Sequence, residues 1–169
     1  MDITAFLNHI RSLPSYDGQV VHIERVPFRR GSYGKLDEPL AAELSNCLDR
    51  HGLSRLYTHQ TAAVNTAQRG KNVMVATASA SGKTLCYNIA VMQAMLTMPG
   101  SRALYLFPTK ALAQDQLGKL HELFCPELLP ESDVATFDGD TPRSERADIR
   151  KRARIVLSNP DMLHIGILP

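Results

Sequence analysis

No stretch of this sequence is long enough to cross a bilayer. The uninterrupted apolar runs are a few residues each, such as Ile89-Ala90-Val91-Met92, against the roughly 20 that a spanning helix needs. The amino terminus, Met1-Asp2-Ile3-Thr4, lacks the basic-then-apolar order of a secretory signal. Cysteine is scarce: Cys47, Cys86 and Cys125 are odd in number, widely spaced, and form no Cys-x-x-Cys pair. That pattern fits reduced thiols better than disulfides or a zinc site. From these features we expect a cytoplasmic chain (nuclear if eukaryotic) with no membrane partner. An excess of one charge is missing too, since 19 basic and 17 acidic residues leave a net charge of +2. That balance by itself does not argue for nucleic acid. A length of 169 residues leaves room for one domain with a real core and excludes two lobes of ordinary size.

What is present is an alternation of strands and helices. Residues 1–35 read as an N-terminal extension, with a short β-like run at Val20–Val26 before Pro27 and the turn-rich Gly31-Ser32-Tyr33-Gly34. A helix is expected from Pro39 to His51, stopped by Gly52, and a second from a Thr58 cap to Arg69, stopped by Gly70. Four strands follow, at Asn72–Thr77, Arg102–Phe107, Asp133–Phe137 and Arg154–Leu157. Helices at Lys83–Met98, Lys110–Phe124 and Pro142–Arg152 separate them, and another starts at Pro160. Short apolar strands joined by helices of this length imply right-handed crossovers and a parallel sheet. The fold class is therefore α/β: a parallel sheet with flanking helices, as part of a P-loop (RecA-like) domain over residues 36–169.

Between the first strand and its helix lies Ser79-Ala80-Ser81-Gly82-Lys83-Thr84. Phosphate chemistry needs that context, because backbone N–H groups and the positive end of a helix wrap an anion. Gly82 lets the main chain approach the phosphates, Lys83 reaches the β- and γ-phosphates, and the Thr84 hydroxyl holds Mg²⁺. Thr77 stands where the strict Gly-x-x-x-x-Gly-Lys-[Ser/Thr] pattern has its first Gly, so a chance Gly-Lys-Thr in a turn is the competing reading.

The segment Thr77–Thr84 resembles motif I of superfamily 2 helicases, and further resemblances follow in family order. Leu56-Tyr57-Thr58-His59-Gln60 is similar to the adenine-reading Q motif, and Phe107-Pro108-Thr109-Lys110-Ala111-Leu112-Ala113 to motif Ia. Phe137-Asp138-Gly139-Asp140-Thr141-Pro142 and Ser158-Asn159-Pro160-Asp161-Met162 are similar to the strand-tracking motifs. The sequence looks most like DEAD/DEAH-box helicases of the mitomycin-repair-factor type, relatives of the RecQ-like repair helicases. Ala80 departs from the Gly that many DEAD-box proteins carry there, and its Cβ narrows the turn geometry open to the loop.

The resemblance implies an ATP-dependent nucleic-acid helicase of DNA repair, with ATP and Mg²⁺ as cofactors and single-stranded DNA as partner. It implies that Gln60, Ser79, Ala80, Ser81, Gly82, Lys83 and Thr84 bind the nucleotide. Pro108, Thr109, Lys110, Gly139, Asp140, Ser158, Asn159 and Asp161 would hold the strand. Each has a plainer reading: Gln60 as a surface amide, Thr109 as an ordinary helix cap, Asp138 and Asp140 as turn formers or magnesium ligands. The basic run Arg143–Arg154 reads as a solvated helix face or as a phosphate contact.

Hydrolysis also needs an Asp-Glu-x-His after an apolar strand. The one adjacent Asp-Glu pair, Asp37-Glu38, precedes the loop and opens a helix. The second RecA-like lobe and the C-terminal zinc domain are likewise missing from the 169 residues. We therefore expect a front portion, truncated before the catalytic carboxylates, that does not hydrolyse ATP or unwind alone and is marginally stable or self-associating. The alternative is a non-enzymatic nucleotide- or nucleic-acid-binding stub.

Overall fold

The computed structural model describes residues 2–27 and 30–168. They form two compact units, divided between Gly31 and Ser32. The first contains α1 (Ile3–Ser12), capped by Asp2, whose carboxylate accepts from Thr4 N at 2.9 Å. The helix buries none of its residues. The β-like run Val20–Val26 is not a strand; Val21 and Val26 are 92% and 82% exposed. A lone extended segment has no partner for its backbone and gains nothing from its branched side chains.

The second unit begins with a short antiparallel contact between Tyr33 and Tyr57. It continues through α2 (Ala42–Arg50), α3 (Thr58–Gln68) and α4 (Lys83–Thr97), then β1 (Ala103–Leu106) and α5 (Lys110–Phe124). A single 3₁₀ turn leads into β2 (Val134–Thr136), followed by α6 (Arg143–Arg152), β3 (Ile155–Ser158) and the short α7 (Pro160–Met162). The strands form a parallel sheet in the order β1-β3-β2. Helices stop where the sequence expects: Gly52 and Gly70 both take φ of +70°, a conformation that costs other residues about 1–2 kcal/mol.

Alternation along the strands sorts the sheet's two faces. Tyr105, Val134, Ile155 and Leu157 join the larger core with Leu44, Val64, Ile89, Met92, Leu120 and Phe124 from α2 to α5. Each such aliphatic burial is worth about 1.5–3 kcal/mol. The opposite face carries a smaller cluster of Phe137, Ile149 and Ala153 under α6, with Ala135 and Val156 against it. On that face Leu104 and Leu106 of β1 stay 44% exposed.

The expected first strand, Asn72–Thr77, is not a strand among the described residues. Its sequence suits a buried strand, yet Met74 is 94% exposed and no sheet neighbour pairs its backbone. Strand structure belongs to a pair of segments, and among the described residues none pairs with this one.

Part of the basic run after Pro142 serves internal packing, while Arg143 and Lys151 are exposed. The Arg146 and Arg150 guanidiniums lie 5.7 and 5.5 Å from the Phe137 ring centre. Arg154 donates to Met95 O near the end of α4 at 2.9 Å, and Arg102 to Arg150 O near the end of α6 at 2.6 Å. Cations at these carbonyls satisfy acceptors that a helix end leaves open.

Candidate functional site

The expected phosphate loop, Ser79–Thr84, is folded into a tight turn ahead of α4. Gly82, at φ 78° and ψ 28°, is the residue preceding the helix, and Ala80 is also left-handed at φ 57°. That conformation strains a residue bearing a Cβ, which gives the departure at Ala80 a structural form. Lys83 curls back over the loop, donating to Ala78 O at 2.6 Å and Thr77 O at 2.8 Å. Its ammonium is thus held in the loop's hollow by carbonyl oxygens. The Thr77 and Ser81 hydroxyls meet at 2.6 Å beside it.

Two side chains at the start of α3 brace this loop. Gln60, only 2% exposed, accepts from Tyr57 N at 2.8 Å and donates to Gly82 O at 2.9 Å. His59 Nε2 lies 2.9 Å from Ser81 O. A Cβ at position 82 would come within 2.6 Å of Gln60 Nε2, so glycine there serves close approach as well as φ. After these bonds the Gln60 amide keeps one lone pair and one N–H. Thr58 is the first helical residue, not the cap; Tyr57 precedes it.

A stack of rings leads away from the brace. Tyr57 and His59 lie 5.8 Å apart, Tyr33 and Tyr57 5.1 Å, both nearly parallel, and the Arg55 guanidinium sits 4.0 Å over Tyr33. Tyr33 and Arg55 are the members that sequence reasoning missed, while His59 stands within the Leu56–Gln60 motif with no role of its own assigned there. The signal for Tyr33 was long-range: its neighbour Gly34 bonds Leu56 O at 3.1 Å, a pairing no local pattern announces.

The strand-edge residues fall into two groups. Pro108, Thr109, Lys110, Gly139, Asp140 and Asp161 are exposed, whereas Ser158 and Asn159 are buried. Thr109 caps α5, accepting from Leu112 N at 3.3 Å, and Asn159 caps α7, accepting from Met162 N at 2.9 Å. The Ser158 hydroxyl turns sideways to donate to Phe137 O. Asp138 is buried and accepts from Asp140 N at 2.9 Å, closing the Asp-Gly-Asp turn. Lys110 pairs with Asp140 at 2.9 Å. This bond raises the Lys110 ammonium above the ordinary lysine range, with further attraction from Asp138.

The residues present fit a triphosphate: an ammonium already in a ring of oxygens, a left-handed glycine, and the start of a 15-residue helix. For a divalent cation the chain offers the Thr84 hydroxyl at the same helix start. Among the described residues no group of three or more His, Cys, Asp or Glu could hold a metal. Asp37, of the lone Asp-Glu pair, is committed elsewhere, in an ion pair with Arg69 at 2.6 Å. No helix among the described residues is long and apolar enough to cross a membrane.

A phosphate loop opening a long helix beside a parallel sheet, with polar turns along that sheet's carboxyl edge, defines a RecA-like helicase domain. The DEAD/DEAH box helicase family matches residues 57–168, and the chain belongs to it. It is 42% identical over 150 residues to the uncharacterized ATP-dependent helicase YprA of Bacillus subtilis, covering 89% of this chain and 20% of that protein. It is equally identical, over 172 residues, to the ATP-dependent helicase hrq1 of Schizosaccharomyces pombe, covering 99% of this chain and 16% of that one. The crystal structure of the DUF1998 helicase MrfA bound to DNA and AMPPNP matches with a TM-score of 0.78 at 43% identity. That match covers 83% of this chain and 20% of MrfA. The chain thus spans at most 20% of the length of each.

Proposed function

We propose that this chain is the nucleotide-binding front portion of an ATP-dependent DNA helicase of the repair type, and that it binds ATP with Mg²⁺ and single-stranded DNA. Lys83 and the first N–H groups of α4 hold the phosphates, and the Thr84 hydroxyl takes one position on the cation. Reading adenine falls to the lone pair and N–H that Gln60 retains, a pair of groups that matches the N6 and N7 edge of that base. The stacked Tyr33 and Tyr57 rings stand beside it. The exposed turns at Thr109-Lys110 and Gly139-Asp140 face the nucleic acid, while Ser158 and Asn159 hold the third turn in shape. DNA, rather than RNA, is favoured by the likeness to MrfA, whose crystal structure contains DNA.

The observation that carries this reading is the loop itself, folded around the Lys83 ammonium and braced from α3 by Gln60 and His59. Titration calorimetry with a non-hydrolysable ATP analogue and Mg²⁺ tests it. Lys83→Ala should weaken binding by about 1.5–3 kcal/mol, the worth of a charged hydrogen bond. Equal affinity in the variant removes Lys83 from the site.

The 169 residues alone bind without turning over. No Asp-Glu-x-His stands behind the loop, and the only adjacent Asp-Glu pair is tied to Arg69. By the family resemblance, hydrolysis and unwinding need the carboxylate motif, a second lobe and a zinc domain besides these residues. A DNA-stimulated phosphate release from this chain alone would contradict that assignment.

A further inference from the structure

The exposed strand edge has the wrong sign for its task. Of the residues assigned to it, Lys110 is the one cation, and Asp140 and Asp161 are both carboxylates. Nucleic-acid backbones are held chiefly by cations meeting phosphates, yet Lys110 is already engaged by Asp140 at 2.9 Å. The engagement is built into the turn. Asp138 is buried and directed inward, to Asp140 N and Thr141, which leaves Asp140 as the acid facing out. Arg146 stands behind the same turn with its guanidinium on Thr141 O and Asp138 O, so it does not compete for the Asp140 carboxylate. Gly139 lets the lysine lie close, since a Cβ there would sit 3.2 Å from Lys110 Nζ. The pair joins the turns after β1 and β2, the two outer strands that flank β3.

We infer that Asp140 is a positioning residue that acts as a displaceable counter-ion: it holds Lys110 in place while no strand is bound and yields it to an incoming phosphate. The inference rests on the nucleic-acid reading of this edge. Its consequence is that removing an edge carboxylate tightens binding through one particular lysine. Asp140 contributes to the strand site by restraint and not by contact, which differs from a place among the strand-holding residues. At 81% side-chain exposure for Asp140 and 46% for Lys110, the pair is solvent-screened and weak enough to exchange.

Fluorescence anisotropy of a labelled oligothymidylate with the 169-residue chain at low salt tests this. Asp140→Asn keeps the turn's backbone bond and should tighten binding roughly two- to five-fold, the range that a surface ion pair represents. Asp140→Glu should behave like the wild type. Lys110→Ala should weaken binding and lower the slope of log K against log salt by about 0.7, one phosphate contact on a single strand. Asp140→Asn should then add nothing in the Lys110→Ala background. Weaker binding by Asp140→Asn overturns the inference, as does an equal gain with or without Lys110, which would be general charge repulsion. If neither the wild type nor any variant binds the oligonucleotide, the nucleic-acid reading itself falls and this inference with it.

Discussion

The segment 72–77 and the strand β3 are built from the same kind of sequence and meet different fates. Asn72-Val73-Met74-Val75-Ala76-Thr77 has no backbone partner in the sheet and exposes Met74 almost fully. Ile155-Val156-Leu157-Ser158 is paired on both sides, in register with β1 and with β2, and Ile155 and Leu157 are 0% exposed. Propensity is common to both; a neighbour is not. The phosphate loop thus hangs from an unpaired segment and owes its shape to α3 and α4. The carboxyl edge, by contrast, hangs from three hydrogen-bonded strands.

This contrast can be broken most decisively in the core. Leu157→Ala should cost about 2–5 kcal/mol, as large-to-small changes in packed cores do, whereas Met74→Ala, at a side chain 94% exposed, should cost well under 1 kcal/mol, as substitutions away from packed positions do. Chemical denaturation of both variants reads the difference, and similar losses would mean that 72–77 is packed in solution. Next in size is the cap at the carboxyl edge: Asn159→Ala should lose about 1 kcal/mol, visible in the same experiment. Smallest is the change at the loop. Ala80→Gly relieves a left-handed residue worth about 1–2 kcal/mol against about 0.5–1 kcal/mol of added chain entropy, so the gain should be near 0.5 kcal/mol. Slower hydrogen exchange of the loop amides would register it; faster exchange would show that φ at Ala80 is unstrained.

Most of the architecture could be read in advance because it is local. The α5 limits, Lys110–Phe124, coincide with the sequence expectation, and β1, β2 and β3 fall within a residue or two of theirs. Apolar periodicity, Gly stops and a Thr cap are written within a few residues of where they act. What could not be read depends on distant partners. Nothing near Val73 announces that its backbone stays unpaired among the described residues, and nothing near Ser158 says that its hydroxyl is spent on Phe137. The helix α1 buries nothing, yet Ile3, Phe6, Leu7 and Ile10 stand at i, i+3, i+4 and i+7, a helical spacing that the reading of residues 1–35 as an extension passes over. At the site, Gly82-Lys83-Thr84 was legible as a spacing pattern. The two hydrogen bonds of Gln60, to Tyr57 and to Gly82, and the Lys110–Asp140 pair arise only once three turns and two helices are brought together.

The bare leucines of β1 have a practical consequence. In a parallel ladder alternate amides face each side of a strand, so the side of β1 away from β3 offers a row of unclaimed donors next to Leu104 and Leu106. Such a rim is a template for another chain. Scattering and sedimentation should therefore report a mass that climbs as the sample is concentrated, and binding constants for this polypeptide are best taken dilute.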